Sequence, residues 1–154
     1  MTQISGDTQR RSSVDNVLDN IPRSLYDDLV IVLYSEEFSA WLAELSEMNQ
    51  GESESIIKVI SLLRIEGMAL RYPWSSALKG TKFAFRELRP RRGESPYRVI
   101  YAFDPDRNAA LLIGGHKEHG VYSFGLRRAE AIWEQHVAAV KRRLAEESKK
   151  RGNK

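Results

Sequence analysis

The chain changes its hydrophobic period midway, and that change limits the folds open to it. Between Glu36 and Gly67 large apolar residues recur at helical spacing. Phe38, Trp41, Leu42, Leu45 and Met48 form one stripe. Ile56, Ile60 and Leu63 form a second, with Ile57 and Val59 flanking it. From Phe83 the period becomes two, the period of a strand. Phe85, Glu87 and Arg89 then share one face and Arg86 and Leu88 the other. Tyr97 to Phe103 alternates as a second strand, with Arg98, Ile100 and Ala102 on one side, and Ala109 to Ile113 makes a third. Helical stripes followed by a run of strands imply an α+β fold.

Punctuation residues set the element ends. Leu29-Val30-Ile31-Val32-Leu33-Tyr34 is a short β-branched apolar run and reads as a buried strand. Ser35 follows as a helix N-cap, with Glu36 and Glu37 in the first turn, where the helix dipole favours anions. Asn49-Gln50-Gly51 breaks the first helix, and Gly67 stops the second. Trp74 to Lys82, with Ser75, Ser76 and Gly80, reads as a loop. Arg91 to Ser95 reads as a hairpin loop and Asp104 to Asn108 as a turn. The third strand is expected to end at Gly114-Gly115, a pair that relieves strain there. Trp133, His136, Val137, Val140 and Leu144 mark a last helix that frays after Glu147. The expected order is strand, helical hairpin, antiparallel β-meander, C-terminal helix, with the helices on one face of the sheet. Residues 1–27 read as a flexible polar extension, with a short helix near Val14–Leu18 as one option. Residues 28–147 form the domain and 148–154 a charged tail.

Composition narrows the function classes. There is no cysteine, which removes disulfides, thiolate metal sites and a thiol nucleophile. No apolar run reaches the roughly 18 residues of a membrane helix, and the polar start does not resemble a secretory signal, so a cytoplasmic location without membrane contact is expected. Net charge is +3 but unevenly spread. Residues 1–78 carry 6 Lys/Arg against 12 Asp/Glu, whereas residues 79–98 carry 7 against 2. Such a cationic block predicts a polyanionic partner; the plain alternative is a solvated charged face.

The usual catalytic constellations are missing. There is no phosphate-cradling glycine loop and no serine in a nucleophile-elbow setting. His116 and His119 have only Glu118 between them, so no metal or other cofactor is expected, and His136 on an apolar stripe reads as structural. RNA supplies its own nucleophile, the 2′-OH beside the scissile phosphate. An enzyme then has to align it, assist proton transfer and stabilise the added negative charge, which Arg and Lys can do. Arg89 and Arg98 fall on neighbouring strands and Lys117 follows the third strand, so the three could converge on one phosphate. Arg98 inside an apolar strand is costly unless it is functional or paired, and Glu87 is the available partner.

These segments carry a resemblance. Leu78-Lys79-Gly80, Glu87-Leu88-Arg89, Tyr97-Arg98-Val99-Ile100-Tyr101 and Gly115-His116-Lys117, in that order, resemble the RelE/HigB toxin superfamily, nearest its phage-derived branch. The likeness spans about Leu29 to Leu144. It implies a RelE-like fold and the toxin of a type II toxin–antitoxin pair. It further implies a metal-independent endoribonuclease cutting messenger RNA on the ribosome, restrained by a cognate helix-turn-helix antitoxin. Arg89, Arg98 and Lys117 match the family's basic catalytic positions. Lys79, Lys82, Arg86, Arg91 and Arg92 are the candidates for holding RNA. Where relatives resemble G-G-D-K-T-G, this chain has Gly115-His116-Lys117-Glu118-His119-Gly120. His116 and His119 thus join the catalytic candidates, imidazole being the side chain that ordinarily titrates near neutral pH. Two alternatives share the fold: a ParE-like inhibitor of DNA gyrase, and a non-catalytic RNA- or partner-binding module.

Overall fold

A computed structural model describes residues 4–6, 29–119, 122 and 124–152. The elements run β1 (Ile4–Gly6), β2 (Val32–Ser35), α1 (Glu36–Met48), α2 (Gln50–Glu66), β3 (Ser75–Ala77), β4 (Arg86–Leu88), β5 (Tyr97–Phe103), β6 (Ala109–His116) and α3 (Phe124–Gly152). Short 3-10 turns follow α2 and β4. The six strands form one sheet in the order β1-β2-β6-β5-β4-β3. β2 runs parallel to β6, and every other neighbouring pair is antiparallel.

The local signals explain most of these boundaries. Ser35 ends β2 and caps α1: its Oγ accepts the Phe38 N–H at 3.0 Å and donates to the Leu112 carbonyl at 2.6 Å. Asn49 closes α1 through its N–H to the Leu45 carbonyl and opens α2 through its Oδ1, which accepts the Glu52 N–H. The hairpin therefore needs a single linking residue. Gly67 ends α2 at φ +56°, and a Cβ there would lie 2.6 Å from Val30 Cγ2. Both the conformation and the close approach call for glycine.

The sheet is buried on both faces. Val99, Tyr101 and Leu111 pack with Phe38, Leu45, Ile56, Val59, Ile60 and Leu63 under the helical hairpin. The alternate residues Ile100, Ala102, Ala110 and Leu112 pack with Phe85, Ala129 and Ile132 under α3. The helices thus lie on opposite faces, not together on one. Alternation itself demands this, because both sides of β5 and β6 are apolar and each side needs a cover. The pairing of β5 with β6 shifts between Ile100 and Tyr101, whose partners are Ile113 and Leu111; Leu112 is the extra residue.

Further boundaries differ from the sequence reading. Ser75–Ala77, expected as loop, is an edge strand paired with β4. β6 continues to His116 and α3 to Gly152. Met48, counted in the first stripe, is 81% exposed, so that stripe ends at Leu45. Of the N-terminal 27 residues, Ile4–Gly6 pairs with β2, and the short helix considered near Val14–Leu18 lies outside the described residues.

Candidate nucleic-acid interface

On the α3 face of the sheet, Glu87 gathers four polar partners. Arg89 Nη1 donates to its Oε1 at 3.2 Å, and Ser76 Oγ donates to the same oxygen at 2.9 Å. The Tyr122 hydroxyl donates to Oε2, and Arg98 Nε lies 4.0 Å from that atom. Arg89 is further fixed by a bond from Nε to the Pro73 carbonyl, and its guanidinium lies 5.0 Å from the Tyr72 ring centre. Burial pushes the Tyr122 phenol far above its ordinary range, helped by the hydrogen bond to Glu87 and by its negative charge, against the weaker pull of Arg98 and Arg89. Tyr122 is therefore a hydrogen-bond donor at neutral pH, not a phenolate base.

Arg98 is 3% exposed. Its Nη1 donates to the carbonyls of Ser95 (2.6 Å) and Tyr97 (2.8 Å), and its Nη2 to that of Gly93 (3.2 Å). The buried Nε makes no hydrogen bond. Arg98 thus holds the β4–β5 connection, where Arg91, Arg92 and Gly93 take φ values of +51°, +58° and +92°. Two consecutive non-glycine residues in the left-handed region are strained. Buried guanidinium bonds offset that strain by fixing the carbonyls of the next turn.

The remaining catalytic candidates lie on the hairpin face or at the sheet's end. Tyr97 and His116 are register partners at the β5–β6 end, and their rings meet edge to face at 5.4 Å. His119 folds back through a turn, its N–H donating to the His116 carbonyl, and its ring stacks on His116 at 4.2 Å. The His116 Nδ1 accepts the Glu118 N–H at 3.1 Å. Lys117 is exposed, and its N–H donates to the Pro96 carbonyl at 2.8 Å. The fold therefore brings Arg89 and Arg98 together through Glu87, and His116 and His119 together by stacking, on opposite sides of the sheet. Lys117 stands beyond its end.

The five candidate RNA-holding cations scatter more widely. Arg86 Nε donates to Ser75 Oγ, which also bonds the Tyr101 hydroxyl beneath the hairpin. Arg91 pairs with Glu52 at the start of α2, and Ser95 donates to the same carboxylate. Lys82 lies 3.6 Å from Glu134 of α3, with both side chains largely exposed, and such a pair contributes little. Lys79 and Arg92 are exposed. Among the described residues no group of three His, Asp or Glu side chains could hold a metal ion. The two stacked imidazoles point their nitrogen lone pairs along nearly parallel planes, not at one point.

The sequence reading paired Arg98 with Glu87 but did not foresee Glu87 as a hub. Its signal was a lone carboxylate within an alternating strand that carries arginines on both sides. Tyr122, Ser76, Trp41 and Tyr97 were missed because loop or aromatic residues far apart in sequence give no local pattern. Gly114 was misread as strain relief. A Cβ there would lie 2.3 Å from the Trp41 ring, so its role is to admit that ring against the sheet.

Comparison with known proteins adds to this geometry. Residues 43–146 match the family described as "Phage derived protein Gp49-like (DUF891)". The chain is 32% identical over 108 residues to "Putative toxin HigB2" of Mycobacterium tuberculosis (strain ATCC 25618 / H37Rv), covering 67% of this chain and 52% of that protein. It is 37% identical over 71 residues to "Putative toxin HigB3" of the same organism, covering 46% of this chain and 60% of that protein. The chain thus spans between half and three fifths of the curated relatives it matches. No solved structure gives a significant match.

Proposed function

Given that the chain belongs to the Gp49-like family of phage-derived proteins, we propose that it is the toxin of a type II toxin–antitoxin pair. In this reading it cuts messenger RNA on the ribosome in the cytoplasm, without a metal, and a cognate helix-turn-helix antitoxin restrains it. The observation that carries the reading is the placement of Lys117. Its backbone is tied to Pro96, two residues before Arg98, and its ammonium is free in solvent at the end of β6. Arg89 is only partly buried. Lys117 and Arg89 can receive phosphate, while Arg98 sets the shape of the loop between them. No helix is long and apolar enough to cross a membrane among the described residues.

The chemistry asked of the site is small. The RNA 2′-oxygen forms a bond to phosphorus as the bond to the 5′-oxygen breaks. The proton leaves the 2′-OH and the 5′-oxygen takes one up. Cations stabilise the extra charge carried by the phosphoryl oxygens in between. A preorganised cation acts in this way without reorganising, and removing one such donor costs about 10²–10³ in rate.

A second reading is favoured by one observation: the Arg98 guanidinium is spent on three main-chain carbonyls. That suits a member of the fold that binds RNA or a partner without cutting. Induced expression with growth curves and mapping of mRNA 5′ ends separates the readings. New mRNA ends and growth arrest, both abolished by Lys117→Ala and by Arg89→Ala, are the expected result. If both variants arrest growth and cut mRNA like the parent, the proposed site is wrong. Arrest with intact mRNA and altered DNA supercoiling would instead establish gyrase inhibition. RNA binding without cutting or arrest would establish the binding module.

A further inference from the structure

Five aromatic rings run in file from the core to the surface. Phe38, 3% exposed, lies 5.9 Å from Trp41; Trp41 lies 5.9 Å from Tyr97; Tyr97 lies 5.4 Å from His116; and His116 lies 4.2 Å from His119. The inner rings are locked. Trp41 rests on the bare backbone of Gly114, and Tyr97 and His116 are cross-strand partners. The outermost pair is nearly parallel, at 18°, and its outer member is exposed. Core filling does not explain His119, because an exposed ring removes little area from water. Acid–base work needs a nitrogen aimed at substrate, yet the His116 Nδ1 is occupied by the Glu118 N–H. What the arrangement presents outward is a flat π-face on a rigid support, next to the exposed ammonium of Lys117.

We infer that the outer face of His119 is a stacking seat for one base of single-stranded RNA, with Lys117 taking an adjoining phosphate. This rests on the functional reading above and adds where the RNA strand is gripped. Flat rings with interleaved cations are how proteins hold unpaired nucleotides, because every base has a π-face. Preorganisation favours the seat: the ring pair is already ordered by its turn and by the file beneath it, so little freedom is lost when a base arrives. His116 and His119 are on this account binding residues.

The test uses the full chain and a fluorescently labelled 2′-O-methyl oligoribonucleotide, which cannot be cut. Anisotropy titrations at fixed salt compare the parent with His119→Ala and His119→Phe. The alanine variant should bind roughly tenfold more weakly, and the phenylalanine variant within about twofold of the parent. Adding adenosine 5′-monophosphate should shift the His119 imidazole proton resonances upfield through the base's ring current. Binding by His119→Ala equal to the parent overturns the seat, as does a phenylalanine variant as weak as the alanine one, since then the nitrogens and not the face matter. Because the oligonucleotide is uncut, the seat is judged separately from the functional reading. A parent that binds it through His119 but cuts no mRNA refutes the nuclease and leaves the seat standing.

Discussion

At the scale of single residues, Glu87 has the widest influence. Its side chain is 9% exposed and answers two guanidinium groups, of which one, that of Arg98, is itself buried. Removing one partner from a buried charged cluster is far more damaging than the cluster's net worth, because the others stay buried and uncompensated. Glu87→Gln keeps the shape and removes the charge. It should lower unfolding stability by about 3 kcal/mol, read as a lower urea midpoint at unchanged slope. An unchanged midpoint would show that the arginines find other partners.

Tyr122 adds a pH dependence to the same cluster. Its phenol is raised above the unfolded value of about 10. The folded state therefore holds this proton more tightly than the unfolded state does. The stabilisation is fully present below about pH 10 and is lost as pH rises through the folded value. Stability measured between pH 9 and 11 should fall in the parent, and fall less steeply in Tyr122→Phe. Parallel curves for the two proteins would remove Tyr122 from the account.

At the scale of elements, Ser35 joins a strand end, a helix start and a bulge. Its buried hydroxyl serves the α1 N-terminus and the Leu112 carbonyl. Ser35→Ala should cost about 1–2 kcal/mol, the range of a lost cap and an orphaned carbonyl. Thermal unfolding followed by circular dichroism measures it, and a loss below a few tenths would mean water replaces both bonds. Elements with a strong period were legible in the sequence. β5 was read at Tyr97–Phe103 and is found there, and Ser35, Asn49 and Gly67 marked the ends of the helical hairpin. β3 was not legible, since Ser75–Ala77 has no apolar alternation and is held by side chains of β4 and β5. The face taken by α3 was also hidden. It follows from both sides of β5 being apolar, a fact present in Val99-Ile100-Tyr101-Ala102 but masked by reading only one side. His136 was rightly read as structural: its Nε2 lies 2.7 Å from Asp104 Oδ2, tying α3 to the β5–β6 turn.

At the scale of the candidate site, the basic residue types were legible and so was the neighbourhood of Arg89 and Arg98, whereas the stacking of His116 and His119 was not. Arg89 and Arg98 meet through Glu87 because β4 and β5 are neighbours, which the hairpin pattern predicts. His116 and His119, only three residues apart, form a stack because β6 runs on to His116 and then turns. Where the third strand ended decided their fate, and strand ends are poorly marked when glycines replace branched residues. Gly114 and Gly115 blurred that boundary while making room for Trp41.

At the scale of the whole molecule, the parallel pairing of β2 with β6 sets a condition on the order of synthesis. Val32 pairs with Ala109 and Tyr34 with Leu111, so the second strand of the sheet waits for more than half the chain to leave the ribosome before its partner exists. Until then the helical hairpin has no Leu111 or Ala109 beneath it, and its apolar stripe stays open. Contacts this distant in sequence close late, because loop entropy must be overcome first. A chain stopped after Asn108 should lack a cooperative thermal transition and be cut rapidly by protease, whereas one ending at Gly152 should melt in one step. A protease-resistant core in the shorter chain would show that the hairpin and the β3–β5 strands fold without β6. If the shorter chain is open, a nascent copy cannot close its sheet until β6 has been made, and no site that needs the ends of β5 and β6 side by side exists before then.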